Sequence, residues 1–254
     1  MRIVDRLAKW KMHRFYERNP LLAKHLPPTA VMTPSSLAIF LGKYKTVYIK
    51  GNTVHTGKAV IKAWKTAAGY KYVWKTGKVL SASSPADLFQ QIKRRMPHEL
   101  FILQQGIDLA RVKGRAFDVR VMIMRNRRRR WHYAGMIAKI HGPRSVVSNY
   151  SAGASYTSIE NALGKAGFTA KKVEGIKRRM IALSRAIIFY SEKYPFFSYQ
   201  SGIDLAVDKK GNIWIIEVNL HNPGHFVFKV LKDNSYQTIK HLFTEYCKYN
   251  KRRI

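Results

Sequence analysis

Asp204, Glu217 and Asn219 stand inside two apolar runs, "GIDLAV" and "IWIIEVN", joined by "DKKGN". The chain has 14 acidic residues against 47 Lys plus Arg. Burying two carboxylates among Ile, Leu, Val and Trp is costly unless a cation meets them there. On a strand, alternate side chains share a face. Glu217 and Asn219 are therefore expected together with Ile213 and Ile215, with Trp214, Ile216 and Val218 facing the other way. A turn centred on "DKKGN" sets Asp204 across from Glu217, about 5 Å away between Cβ atoms. Two carboxylates and an amide oxygen, with no His or Cys nearby in sequence, suit a hard cation such as Mg2+ that takes its other ligands from water and phosphate. The spacing is equally compatible with carboxylates neutralised by the chain's many Lys and Arg. Asp208 belongs to the turn and is read as structural.

A second grouping lies in "FDVRVMIM", where Asp118 and Arg120 share a strand face. An arginine fixed by a carboxylate is a preorganised fork for phosphate or a developing oxyanion. A structural ion pair at a sheet edge is the competing reading.

These residues need strands to hold them. "KTVYIK" (45–50), "KAVIKAW" (58–64) and "YKYVWK" (70–75) read as a small antiparallel sheet. "LFILQQGIDL" (100–109), "RAFDVRVMIMRN" (115–126) and "WHYAGMIAKI" (131–140) are further strands, the last two forming a hairpin across "RNRRRR". Residues 1–18 are expected to form one amphipathic helix, closed at Asn19-Pro20. "KHLPPTAVMTP" reads as an extended connector to a short helix capped by Ser35. Ser84 caps the helix that begins at Pro85. Two more helices are expected over about 158–165 and 172–193, and a last one over "SYQTIKHLFTEYCKY". Segregated helices and hairpins define an α+β class with antiparallel sheets in two lobes, 1–105 and 106–254.

Composition sets the outer bounds. With 254 residues and 46% hydrophobic content the chain can bury a sizeable core. A net charge of +33 draws in anionic partners such as nucleotides, nucleic acid or acidic polymers. A single cysteine, Cys247, excludes an internal disulfide and a thiolate-rich zinc site and fits a reducing cytoplasmic setting. The basic, interrupted N-terminus reads as neither a signal peptide nor a membrane span.

In order, the chain offers "KW" at 9–10, "HLPPT", "VYIK", "LQQGIDL", "FDVRV", "VSN" and "GIDLAVDKKGNIWIIEVN". The series resembles the ATP-grasp superfamily, most closely its YheC/YheD endospore-coat-associated group, from Lys9 to about Gly224. The resemblance implies two α+β lobes with antiparallel sheets enclosing an ATP site. Lys9 and Lys50 would contact phosphates, under a covering loop that includes Gly57 and Lys58. Gln104, Gln105, Gly106 and Ile107 would form the hinge against adenine. Arg120, Lys139 and Asn149 would face the γ-phosphate and acyl substrate, and Asp204, Glu217 and Asn219 would hold Mg2+. The implied reaction is carboxylate–amine ligation through an acyl-phosphate.

Several positions depart from the pattern. "KG" follows Lys50 where "KP" is common, the next loop is poor in glycine, and Lys139 stands where relatives commonly carry Arg. "SAGAS" has one glycine where a pair is typical, and "NLHNPG" carries one extra residue. With eight residues ahead of Lys9, the N-terminal domain of many relatives is expected to be missing, and a partner subunit or self-association to complete the acceptor site. The resemblance therefore implies ATP–Mg2+ binding more strongly than turnover. The substrate is expected to be an acidic peptide or envelope polymer. The alternative is a non-catalytic basic protein that binds nucleic acid or spore-coat polymer through "RNRRRR" (125–130), "KRRM" (177–180) and "KRRI" (251–254).

Overall fold

In the computed structural model, which describes residues 3–54, 59–75, 77–143, 145 and 153–250, three short helices come first. They are α1 (Ile3–Arg6), α2 (Lys9–Glu17) and α3 (Pro20–Ala23). The expected single opening helix is thus interrupted at Leu7-Ala8, and the chain resumes a helical turn after Asn19, whose side chain accepts from Leu21 N. Then follow β1 (Thr29–Val31), α4 (Pro34–Lys43), β2 (Val47–Gly51), β3 (Val60–Thr66), β4 (Gly69–Trp74), β5 (Leu80–Ala82), α5 (Pro85–Arg95) and β6 (Phe101–Gln105). The chain continues through β7 (Arg111–Val112), β8 (Arg115–Arg125), β9 (Trp131–Ile140), β10 (Ser155–Thr157), α6 (Ile159–Lys165) and α7 (Ala170–Ser191). It closes with β11 (Gln200–Val207), β12 (Ile213–Asn219), a 3-10 turn (Phe226–Val230) and α8 (Ser235–Tyr249).

The chain divides into two compact units. One comprises Met1–Phe15, Pro27–Asp108 and His141–Ala154; the other comprises Tyr16–Leu26, Leu109–Ile140 and Ser155–Ile254. The first holds an antiparallel sheet in the order β1-β6-β2-β3-β4-β5. Alternation in β2 buries Val47 and Ile49 on one face, where they meet Leu37 and Leu41 of α4 and Leu88 and Ile92 of α5. Tyr48 and Lys50 lie on the opposite face, beside Gln104 and Ile102 of β6. Helix α4 is capped by Thr33 rather than Ser35: Thr33 Oγ1 accepts from Ser36 N at 3.0 Å, and Ser36 Oγ accepts from Thr33 N at 2.8 Å. Pro34 has no N–H to offer, so it takes the first helical position and the residue before it becomes the cap. Ser84 caps α5 as its sequence context requires.

The second unit holds the sheet β10-β9-β8-β11-β12, with β7 paired to β8. Helix α7, of which Ile176, Met180, Ile187 and Ile188 are buried, packs against β8 and β11. Met122 and Met124 point the other way, into a cluster formed with Ile137, Phe228 of the 3-10 turn, and Ile239 and Leu242 of α8. Gly135 makes this packing possible: its φ is +150°, and a Cβ there would lie 2.6 Å from Ser235 Cβ at the start of α8. The free edge of β12 is covered locally, because Ile215 N donates to His25 O and His25 Nδ1 donates to Ile213 O, each at 2.8 Å.

Candidate active site

Register places the residues of the second unit. In β8, Asp118 and Arg120 share the face that carries Met122 and Met124 farther along. Arg120 lies opposite Asp204 of β11, and Asp118 lies opposite Lys139 of β9. Asp204 in turn lies opposite Glu217, and Gly202 opposite Asn219. Partners directly across an antiparallel pair share a face. Two cations and three carboxylates are thereby collected at the end of the sheet that α8 leaves uncovered.

The side chains interlock. Arg120 Nε donates to Asp204 Oδ1 at 2.7 Å and its Nη2 to Oδ2 at 2.9 Å, a bidentate fork. Arg120 Nη1 donates to the carbonyl of Gly224 at 3.3 Å. Lys139 Nζ lies 2.7 Å from Asp118 Oδ1 and 2.9 Å from Asp204 Oδ1. Asp118, Lys139 and Asp204 are each less than a tenth exposed. Burial disfavours the charges of Asp204, Lys139 and Arg120, yet the opposite charges prevail. Asp204 is held below the usual carboxylate range by Arg120 and Lys139, against its desolvation. Lys139 is raised by Asp118 and Asp204, and Arg120 by Asp204, Asp118 and Glu217, each again against desolvation. Asp204, Lys139 and Arg120 therefore stay ionised at neutral pH.

This corrects one reading of the sequence. The carboxylate that fixes Arg120 is Asp204, on the adjacent strand β11, while the neighbouring Asp118 fixes Lys139. Gly202 permits the arrangement: a Cβ there would stand 2.6 Å from Pro223 Cβ and 3.0 Å from Arg120 Cδ. A second correction concerns strand parity. The register shifts between Asp204 and Leu205, so that Glu217 faces Asp204 while Ile215 faces Leu205. Ile216 is the extra residue of a β-bulge. Ile213 and Ile215, both buried, consequently lie on the face opposite Glu217, not beside it, and Trp214 is on the Glu217 side.

The oxygen donors are thus brought together but differ in commitment. Both oxygens of Asp204 accept from Arg120. Asn219 Nδ2 donates to Gly202 O at 3.3 Å, which leaves its Oδ1 as an acceptor. Among the described residues no group of three His, Cys, Asp or Glu side chains is disposed to hold a metal by itself. The donor set still fits Mg2+, which binds through few protein oxygens and completes its shell with water and phosphate. Glu217 and Asn219 are the residues that would supply those oxygens.

In the first unit, Lys50 Nζ donates to Gln104 Oε1 at 2.6 Å, and Gln104 Nε2 donates to Thr29 Oγ1 at 3.2 Å. No local signal marks this link, since residues 54 apart become neighbours only through the β2–β6 pairing. The Gln104–Ile107 segment leaves the sheet with two N–H groups already used: Gln105 N donates to Pro28 O at 3.0 Å and Gly106 N to Thr46 O at 2.8 Å. A Cβ on Gly106 would come within 2.8 Å of Thr46 O, so only glycine fits this approach. Lys9, at the start of α2, is tied to the loop after β2: its Nζ donates to Val54 O at 2.8 Å, and its N–H donates to Asn52 O. Gly57, Lys58 and Asn149 lie outside the described residues.

Solved structures share this architecture. D-alanyl-alanine synthetase A from Vibrio cholerae superposes with a TM-score of 0.56 at 15% identity, covering 95% of this chain and 66% of that one. N5-carboxyaminoimidazole synthetase from Staphylococcus aureus, complexed with ADP, gives 0.53 at 8% identity, covering 94% and 52%. The fold is that of the ATP-grasp proteins, α+β with antiparallel sheets. Residues 5–249 match the YheC/D-like ATP-grasp family, and the chain belongs to that family. Endospore coat-associated protein YheD of Bacillus subtilis (strain 168) is 28% identical over 226 residues, 87% of this chain and 49% of its own length. Endospore coat-associated protein YheC of the same organism is 20% identical over 222 residues, 85% of this chain and 60% of its own length. The chain thus spans about half to three-fifths of these relatives. No helix among the described residues is long and apolar enough to cross a membrane.

Proposed function

We propose that the chain binds ATP with Mg2+ and acts as a carboxylate–amine ligase on an anionic substrate such as an acidic peptide or envelope polymer. The observation that carries this reading is the paired cation site, Arg120 and Lys139, each held ionised and oriented by a buried carboxylate beside Glu217 and Asn219. Part of the guanidinium fork and one ammonium N–H remain beyond the bonds described. Such fixed donors favour charge that gathers on a transferring phosphoryl group and then on a tetrahedral oxyanion. They need no reorientation during the reaction, because Asp204 and Asp118 already set their direction.

Glu217 and Asn219 would hold Mg2+, which when bound supplies charge neutralisation on the phosphates. Asp204 serves chiefly as the anchor of Arg120. Lys50, oriented by Gln104, and Lys9 are assigned to the nucleotide phosphates, with Gly57 and Lys58 in the covering loop. Gln104–Ile107 is assigned to the adenine. Because Gln105 and Gly106 have spent their N–H groups within the unit, the base is met there by the remaining backbone groups. Asn149 is assigned to the acyl-phosphate side. A reacting carboxylate would attack the γ-phosphate with loss of ADP, and an amine would then displace phosphate to give the amide.

The test is incubation of the protein with ATP, Mg2+ and pools of amino acids and acidic peptides, following ADP and new mass adducts. Substrate-dependent ADP release is expected, and Glu217→Ala should abolish it. Parental turnover in Glu217→Ala would overturn the metal assignment, and no nucleotide-induced rise in melting temperature would overturn the reading as a whole.

A further inference from the structure

A second concave site lies at the far end of β8. The strand pair β8–β9 closes on Arg125 and Trp131, which face each other across the last rung before the "NRRRR" turn. Beneath that rung is a cavity of about 350 Å3, walled by Trp131, Tyr194, Phe196, Phe197, Ile188 and Leu220. Its volume is in the range of small-ligand sites, roughly 300–1,000 Å3. Five residues of strand separate Arg125 from Arg120, about 17 Å, so the cavity is distinct from the charged patch described above.

The polar part of the wall is preset. Arg125 Cζ lies 4.1 Å from the Trp131 ring centroid and 5.7 Å from that of Phe197. Glu192 Oε1 accepts from Arg125 Nη2 at 2.8 Å and from Trp131 Nε1 at 2.9 Å, which leaves its Oε2 as an acceptor at the rim. Phe197 is 48% exposed, an open aromatic face rather than a core ring.

Above the cavity stands a rigid display of arginine. Asn126 Oδ1 accepts from Arg128 N at 2.9 Å and from Arg130 N at 3.0 Å. Arg129 occupies the left-handed region with φ 60°, a conformation glycine adopts freely and arginine does not. Its Nε donates to Asn250 Oδ1 at 2.9 Å, which fastens the turn to the end of α8, where Arg127 lies over the exposed Tyr249 ring at 5.9 Å. A turn required only for solubility has no need of four arginines or of that strained position. Arginine forks match phosphate oxygens in a way that the point charge of lysine does not.

We infer that this end of the second unit binds single-stranded nucleic acid, a base stacking on the exposed face of Phe197 at the mouth of the cavity while Arg127, Arg128 and Arg130 hold the flanking phosphates. The cavity wants a planar ring and the turn wants phosphate. A single strand supplies both, whereas a polycarboxylate supplies neither ring nor phosphate. An unpaired strand is required because a base inside a duplex cannot leave its stack without cost.

The test is fluorescence anisotropy with a labelled 12-nucleotide single-stranded oligonucleotide over a range of salt concentrations. Replacing Arg127, Arg128 and Arg130 together by Ala should flatten the slope of log affinity against log salt by about 2, at about 0.7 for each phosphate no longer neutralised. Phe197→Ala should weaken binding about 5-fold or more with the slope unchanged, and should leave binding of inorganic polyphosphate and poly-glutamate untouched. All four side chains are exposed, so both variants should keep the parental melting temperature. Parental behaviour in the triple variant, equal losses for oligonucleotide and polyphosphate in Phe197→Ala, or displacement of the oligonucleotide by ATP–Mg2+ would each overturn the inference.

Discussion

Replacing Asp204 by Asn tests which role that carboxylate has, because the two candidate roles predict opposite signs in protein free of metal and nucleotide. As the anchor of Arg120 it accepts two charge-assisted bonds from the guanidinium and lies 2.9 Å from Lys139 Nζ, with only 8% of its side chain exposed. Breaking one partner of a buried ion pair costs roughly 3–5 kcal/mol, since the remaining charges stay buried without it. Asparagine keeps one oxygen, so the lower end, about 3 kcal/mol, is expected. At about 2–4 °C per kcal/mol for a chain of this size, the melting temperature should fall by roughly 6–12 °C in EDTA. If Asp204 were instead a ligand held in reserve for a cation, neutralising it beside Asp118 and Glu217 would relieve repulsion and raise stability. Thermal unfolding in EDTA reads the sign directly. A double-mutant cycle with Arg120→Gln should also show a coupling of at least about 1 kcal/mol. An unchanged or higher melting temperature for Asp204→Asn would refute the anchoring role.

Two other expectations follow from the same patch. Gly202→Ala sets a Cβ 2.6 Å from Pro223 Cβ and against the Arg120 stem, so it should destabilise the protein by about 1–3 kcal/mol in urea unfolding and shrink the ATP–Mg2+ melting shift, with Ser201→Ala on the same strand as the control. The folded-state pKa of Asp204 is lowered, so its contribution is present above the unfolded value of about 3.9 and lost as pH falls through the folded one; that of Lys139 is raised, so its contribution is full below about 10.4 and lost only as pH rises beyond it. Urea midpoints should therefore fall below about pH 4, less steeply in Asp204→Asn than in the parent.

What could be read from sequence was what short-range rules determine. The "DKKGN" turn fixes the pairing of β11 with β12 and so sets Asp204 opposite Glu217, and Ser84-Pro85 marks the start of α5. The misreadings have local causes as well. Strict alternation through "IWIIEVN" assumes an unbroken ladder, and nothing in the run Ile215-Ile216 tells which isoleucine the bulge will expel. Strands of two or three residues, such as β1, β5, β7 and β10, are too short to show a period and exist because longer neighbours offer an edge. The partners of Arg120 and Lys139 were hidden for another reason: which carboxylate meets which cation depends on the lateral order β9-β8-β11, and lateral order is a property of the whole sheet.

The bulge at Ile216 acts on β12 as a phase change acts on a wave. Before it, Ile213 and Ile215 turn to the apolar underside; after it, Glu217 and Asn219 turn to the ionic patch. Selection can thus retune the two halves of one seven-residue strand separately. Losing a single residue at 216 would remove the bulge and leave Glu217 opposite Asp204, whereas pairing all seven residues in an unbroken ladder would turn that carboxylate into the hydrocarbon layer beneath.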